Sequence, residues 1–210
     1  MISIVDYGSG NLRSVEKAFQ SRGFDAKITR DPGEISAASA CVLPGVGSFG
    51  RAAENLDKFG LTQALKGFIA SGRPFMGICL GLQLLFPASE ESPGASGLGF
   101  IKGKVLKFDA PGMKIPHMGW NSVRIVKDNP VFNGIEDDSY FYFVHSFYGL
   151  PEDGTLSAGL TEYGVNFPSV IIKDNIYLFQ FHPEKSRGKG LKIIENFARL
   201  ALPSRPAAAR

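Results

Sequence analysis

Phe75-Met-Gly-Ile-Cys79-Leu-Gly-Leu-Gln83-Leu-Leu-Phe86 is the stretch on which the fold turns. Phe75 to Ile78 is a short apolar run of the kind a buried strand shows, and Leu80 to Phe86 reads as a helix. Between them sits Gly77-Ile-Cys79-Leu-Gly81, a G-x-C-x-G form of the nucleophile elbow. The flanking glycines permit a sharp turn that side chains would obstruct, and the turn pushes Cys79 out at the sheet edge. A helix starting behind the thiol directs its free N–H groups at it, which favours thiolate and the charge of a tetrahedral intermediate. Taken alone, the same segment also fits a buried structural cysteine in a glycine-rich turn.

Working outward, the first half alternates in the same way. Ile2 to Asp6, Ala26 to Thr29 and Cys41 to Leu43 are strand candidates. Leu12, Val15 and Phe19 recur at helical spacing, with Gly23 able to close that helix. A second helix runs from about Leu61 to Ala70 and ends at Gly72. Strands spaced by helices imply parallel pairing, so the fold class is α/β with a doubly wound, mostly parallel sheet. The second half adds strands with few helices between them: Lys104–Phe108, Ser122–Val126, Tyr140–Val144, Ser169–Ile172 and Tyr177–Phe181. Asp174-Asn175 suits a hairpin turn between the last two, so antiparallel strands are added to the parallel sheet. A closing helix spans about Gly190 to Leu202. The reading is one domain over residues 1–202, with 203–210 a frayed tail.

Composition narrows the classes. With 210 residues, 44% hydrophobic, the chain can bury a sizeable core. The net charge of +3 is spread without a dense basic run, which argues against nucleic acid as a partner. No stretch of about eighteen apolar residues suggests a membrane span. The start, Met1 to Asp6, lacks the basic region and long apolar run of a signal peptide. Two cysteines make a disulfide framework improbable and the cytosol the natural home. No metal or cofactor is called for. Cys41, inside an apolar strand without flanking glycines, reads as core.

A thiol nucleophile needs a base, and the histidines are His117, His145 and His182. His182 follows the strand Tyr177–Phe181 and precedes Pro183 and Glu184. Residues two apart in an extended segment face the same way, so Glu184 can fix the tautomer of His182 while its other nitrogen serves Cys79. Pro44-Gly-Val-Gly47 ends the third strand, where backbone N–H groups can serve as oxyanion donors; an ordinary strand-to-helix turn is the plainer alternative.

Pro44-Gly-Val-Gly47, Gly77-Ile-Cys79-Leu-Gly-Leu-Gln83 and Phe181-His-Pro-Glu184 together resemble the class I, or triad, glutamine amidotransferases over nearly the whole chain. Asp6-Tyr-Gly-Ser-Gly-Asn-Leu12, Pro116-His-Met-Gly-Trp-Asn121 and His182-Pro-Glu-Lys-Ser186 are similar to the branch serving imidazole glycerol phosphate synthesis in histidine biosynthesis. The resemblance implies a γ-glutamyl thioester on Cys79, with His182 as proton-transfer group and Glu184 as its orienter. It implies oxyanion donors at Leu80 and at Val46 or Gly47, and substrate contacts at Gln83, Ser146 and Phe147. It places Asn11, Trp120, Tyr142 and Lys185 toward a partner, a cyclase subunit with a (β/α)₈ barrel that consumes the ammonia in a heterodimer. His117 and His145 are expected to be structural or substrate-framing. The competing readings are a triad glutaminase serving another synthase, a cysteine hydrolase or stress protein with an elbow cysteine, and a non-catalytic flavodoxin-like module.

Overall fold

The computed structural model describes residues 1–202; the expected tail, 203–210, lies outside them. β1 (Ile2–Val5), β2 (Ala26–Thr29), β3 (Ala40–Gly45) and β4 (Phe75–Cys79) pair in parallel, in the order β2-β1-β3-β4. β11 (Ile176–Phe179) lies parallel to β4. From there the same sheet runs antiparallel through β10 (Asn166–Lys173), β9 (Ser157–Glu162), β6 (His117–Ile125) and β7 (Ser139–His145), which makes nine strands. β5 (Gly103–Lys107) and β8 (Phe147–Pro151) form a separate two-stranded sheet.

Pleat alternation supplies both halves of the core. In β3, Ala40 and Val42 join one hydrophobic cluster while Cys41 and Leu43 join the other. The first cluster receives Val15 and Phe19 from α1 (Leu12–Gln20) and Ile193, Ile194 and Phe197 from α6 (Arg187–Leu200). The second receives Ile35 from α2 (Pro32–Ala37), Phe49 and Leu56 from α3 (Phe49–Lys58), and Leu65 and Phe68 from α4 (Leu61–Ala70). Helices therefore cover both faces, as a doubly wound sheet requires. No described helix is long and apolar enough to cross a membrane.

Several expected boundaries move. The helix after the elbow, α5 (Leu80–Gln83), is a single turn that stops short of Phe86. The reason is tertiary: the Leu84 and Leu85 carbonyls accept the N–H groups of Leu98 (2.7 Å) and Ile101 (3.0 Å) from a following loop. β11 ends at Phe179 rather than Phe181. α6 begins three residues earlier than Gly190, through Arg187 at φ 50°, and ends at Leu200. The Asp174-Asn175 turn is present, with Lys173 registered opposite Ile176. Two helices, α2 and α3, and two strands, β8 and β9, were not expected.

Candidate active site

Cys79 closes β4 at φ 54°, ψ −108°, a backbone conformation that side-chain-bearing residues resist. The glycines around it are required by contact. A Cβ on Gly77 would lie 2.8 Å from the Gly81 carbonyl oxygen and 2.7 Å from Leu178 Cδ2. One on Gly81 would collide with the Leu43 carbonyl of β3, and one on Gly45 with the Tyr7 hydroxyl. The elbow is thus wedged between β3 and β11. Because α5 is one turn long, what it offers Cys79 is the local N–H groups of that turn rather than the dipole of a long helix.

His182 Nδ1 lies 2.9 Å from Glu184 Oε1, with the two side chains 3% and 1% exposed. Their proximity arises differently from the extended-chain expectation. Pro183–Lys185 is a single 3₁₀ turn with His182 at its N-cap position, which curls Glu184 back under the imidazole. His182 N–H donates to the Tyr142 carbonyl (2.9 Å), and the Ser186 hydroxyl donates to the His182 carbonyl (2.7 Å), so the turn is anchored at both ends. His182 Nε2 is buried without a partner inside the protein. Burial by itself pushes the imidazole pKa down, but the neighbouring Cys79 and Glu184 overcome it and raise the value to about 10. The thiol of Cys41, fully buried in β3, is pushed up by burial and stays protonated.

Cys79 opens onto a cavity of about 270 Å³. Val46, Gly47, Leu80, Gln83, Ser146 and Phe147, all singled out from the sequence, line it. His182 and Glu184 are not part of the lining. Gln83 Nε2 donates to the Phe147 carbonyl (2.9 Å) and also approaches Gln180 Oε1 (3.4 Å). The Ser9 hydroxyl donates to the Val46 carbonyl. That bond holds the Val46–Gly47 peptide with its C=O toward the β1–α1 loop and the antiparallel Gly47 N–H away from it.

The family model described as Glutamine amidotransferase class-I matches residues 3–201. The chain belongs to the class-I glutamine amidotransferases. Among its relatives is the imidazole glycerol phosphate synthase subunit HisH of Methanocaldococcus jannaschii, 53% identical over 201 residues, covering 95% of this chain and 100% of that one. The protein of the same name from Methanothermobacter thermautotrophicus is 52% identical over 200 residues, covering 95% and 98%. Similar solved structures are a glutamine amidotransferase (TM-score 0.75, 16% identity, 96% and 99% covered) and PurLQS from Thermotoga maritima (TM-score 0.74, 18% identity, 94% and 97% covered). At those identities the likeness concerns the fold.

Other residues of this amidotransferase join the site without having been anticipated. Gln180, fully buried, points its Nε2 at Cys79 Sγ (3.7 Å); a glutamine set between Phe179 and Phe181 is the sequence signal that marks it. Glu91, in the loop after the elbow, lines the cavity and accepts the Phe49 N–H (2.7 Å). Nothing in its loop sequence marks it. Of the residues expected to face a partner, Trp120 and Tyr142 meet with ring centroids 6.2 Å apart, and Lys185 Nζ lies 5.9 Å from the Tyr142 ring. Arg187, unanticipated, lies over Trp120 at 5.3 Å. Asn11 sits at the N-cap position of α1 on the β1–α1 loop, outside this cluster. Among the described residues no group of three His, Cys, Asp or Glu is placed to hold a metal ion.

Proposed function

We propose that this chain is the glutaminase subunit of imidazole glycerol phosphate synthase and works in the cytoplasm in histidine biosynthesis, its residues 1–202 acting as one glutamine amidotransferase domain. The observation that carries the chemistry is the buried His182–Glu184 pair beside Cys79 at a strained elbow that opens on a cavity. Cys79 Sγ attacks the side-chain carbonyl carbon of glutamine. His182, holding the thiol proton as imidazolium, gives it to the departing ammonia, leaving a γ-glutamyl thioester. The neutral imidazole then takes a proton from water as it attacks, and glutamate leaves as the thiolate re-forms. Glu184 keeps the Nδ1 proton in place and offsets the imidazolium charge. N–H groups of Leu80 and of Val46 or Gly47 receive the oxyanion. Gln83, Ser146 and Phe147 frame the amino-acid end of the substrate, and Glu91 supplies a negative charge suited to its ammonium.

The likeness to HisH proteins at about half identity over 95% of the chain supports the assignment to that synthase. Ammonia then passes to a cyclase subunit with a (β/α)₈ barrel, which makes imidazole glycerol phosphate and aminoimidazole carboxamide ribotide. The β6–β7 ribbon supports a docking face. Met118, Trp120 and Tyr140 share one side of it with Tyr142 and are 62%, 44% and 61% exposed. Exposed aromatic and methionine side chains flanked by Lys185 and Arg187 are the composition of a protein interface. A closed interface also keeps ammonia from being protonated and lost. The test is glutamine turnover by the chain alone, with a cyclase subunit, and with cyclase plus its nucleotide ligand. Co-purification with the cyclase and turnover stimulated by the ligand are expected. No turnover in any of the three would remove the assignment.

A further inference from the structure

Two buried histidines take no part in the triad. His117 and His145 stand opposite each other in the β6–β7 register and are 3% and 6% exposed. His117 lies between Tyr163 and Phe143, with ring centroids 4.0 and 4.8 Å away. His145 Nε2 is 3.0 Å from His117 Nδ1, His145 Nδ1 is 2.8 Å from the Phe147 carbonyl, and His117 Nε2 is 3.3 Å from Asn121 Nδ2.

The direction of every proton in this chain of contacts is determined. The Phe147 carbonyl can only accept, so His145 carries its hydrogen on Nδ1 and presents a bare Nε2. That nitrogen must receive a hydrogen, so His117 is protonated on Nδ1 and presents its own bare Nε2. Asn121 completes the sequence, and its amide cannot be turned round. Its Oδ1 accepts the Ser122 N–H (2.8 Å), and its Nδ2 already donates one hydrogen to the Glu162 carbonyl (2.9 Å), leaving the second for His117. Protonating His145 would set two N–H groups face to face and place a cation beside His182. Burial keeps both rings neutral, with His117 lowered to about 4 and His145 to about 3.

The relay ends where the substrate begins. Lys107 and Phe147 face each other in the β5–β8 ladder, and the Phe108 N–H donates to the Ser146 carbonyl (3.2 Å). Phe147 is therefore in a non-hydrogen-bonded pair, and its own N–H and C=O both point away from β5. The carbonyl is claimed by His145 Nδ1 and by Gln83 Nε2. Held by two donors, that residue keeps its N–H available at the cavity wall. We infer that Asn121, His117 and His145 are positioning residues that fix the Ser146–Phe147 backbone as the receptor for the amino-acid end of glutamine. This inference rests on the glutaminase reading above and extends it to three side chains outside the Cys79–His182–Glu184 set, of which His145 itself lines the cavity.

The experiment compares two reagents for Cys79 on the full chain. A diazoketone analogue of glutamine carries the amino-acid end, whereas iodoacetamide lacks it. His145→Gln removes the donor to Phe147, and Asn121→Leu removes the start of the relay at a partly exposed position. Both are expected to raise the half-saturating diazoketone concentration about tenfold, the effect of one lost hydrogen bond that leaves a buried partner unmatched. The limiting inactivation rate and the iodoacetamide rate should stay within about a factor of two. His145→Asn, whose amide nitrogen can occupy the place of Nδ1, should recover most of the lost affinity. Variants that lose thermal stability while the ratio of the two reagents is unmoved would make the relay merely structural and overturn the inference. So would equal slowing by both reagents. A wild-type chain alkylated by iodoacetamide at Cys79 yet indifferent to the diazoketone would refute the glutaminase reading itself, and the relay with it.

Discussion

Replacing Glu184 with glutamine removes one charge and almost no volume from a site where both partners are buried. Glutamine Oε1 can still accept the Nδ1 hydrogen of His182, so tautomer and ring orientation survive. What is lost is the carboxylate that offsets the imidazolium. At a charge separation of about 4 Å and an effective dielectric near 20, the Coulomb attraction is about 4 kcal/mol, an upper bound. Exchanging a charge-assisted hydrogen bond for a neutral one removes about 1–1.5 kcal/mol of it. At about 1.4 kcal/mol per decade that is roughly a 5- to 10-fold loss in kcat. His182→Ala removes the proton carrier from both half-reactions and should fall at least about ten times lower than Glu184→Gln. The assay is glutamine hydrolysis at saturating substrate in the complex with the cyclase, alongside the pH dependence of Cys79 alkylation. Part of the rise in the His182 pKa comes from Glu184, so the alkylation profile should shift to a lower His182 pKa in Glu184→Gln. Equal losses in the two variants, or an unshifted alkylation profile, would refute the orienting and charge-offsetting role.

Cys79→Ala should abolish glutamine-dependent synthesis and leave synthesis from added ammonium salts nearly intact; surviving glutaminase turnover would exclude Cys79 as nucleophile. Gly81→Ala forces a methyl group into the Leu43 carbonyl and should destabilise by about 3 kcal/mol or more in urea unfolding. Gly67→Ala in α4, where nothing lies within 4 Å, should stabilise by about 0.5–1 kcal/mol, and the same sign for both would contradict the packing argument. His117 titrates lower in the folded state than in the unfolded one, so its contribution is complete above pH ~6.5 and is lost as the pH falls toward about 4. Urea midpoints of wild type and His117→Asn should converge across that window; parallel curves would exclude it. His182 has the opposite sign, and its contribution fades as the pH rises from ~6.5 toward about 10. Lys185→Ala and Trp120→Ala should weaken the stimulation of glutaminase by the cyclase ligand without lowering the folded fraction, and unchanged stimulation would displace the interface.

Strong local signals determined much of this protein. The strand–elbow–helix around Cys79, the apolar runs of β1 to β4 and the 3.6-residue spacing of α1 and α4 were legible because backbone turn chemistry and amphipathic period act over a few residues. The Cys79, His182 and Glu184 set was legible for the same reason, two short motifs at strand ends of an α/β sheet. α3 escaped notice although Phe49, Ala52, Ala53 and Leu56 recur at helical spacing, since alanine contributes little to an apolar pattern. α2 carries an Asp31 cap and Pro32, but only Ile35 of its six residues is apolar enough to mark a buried face. β8 contains Gly149 and Pro151, and β9 apart from Leu160 is made of small and polar residues; pairing with β5 and β10 makes them strands. Only the tertiary structure could curl Glu184 under His182 by a 3₁₀ turn or stop α5 at Gln83. Those placements depend on hydrogen bonds and contacts between segments far apart in the chain, and no local pattern records them. The tautomers of His117 and His145 are the sharpest case. Each is decided by the neighbour before it, and the sequence of neighbours exists only once β6, β7 and β8 are packed together.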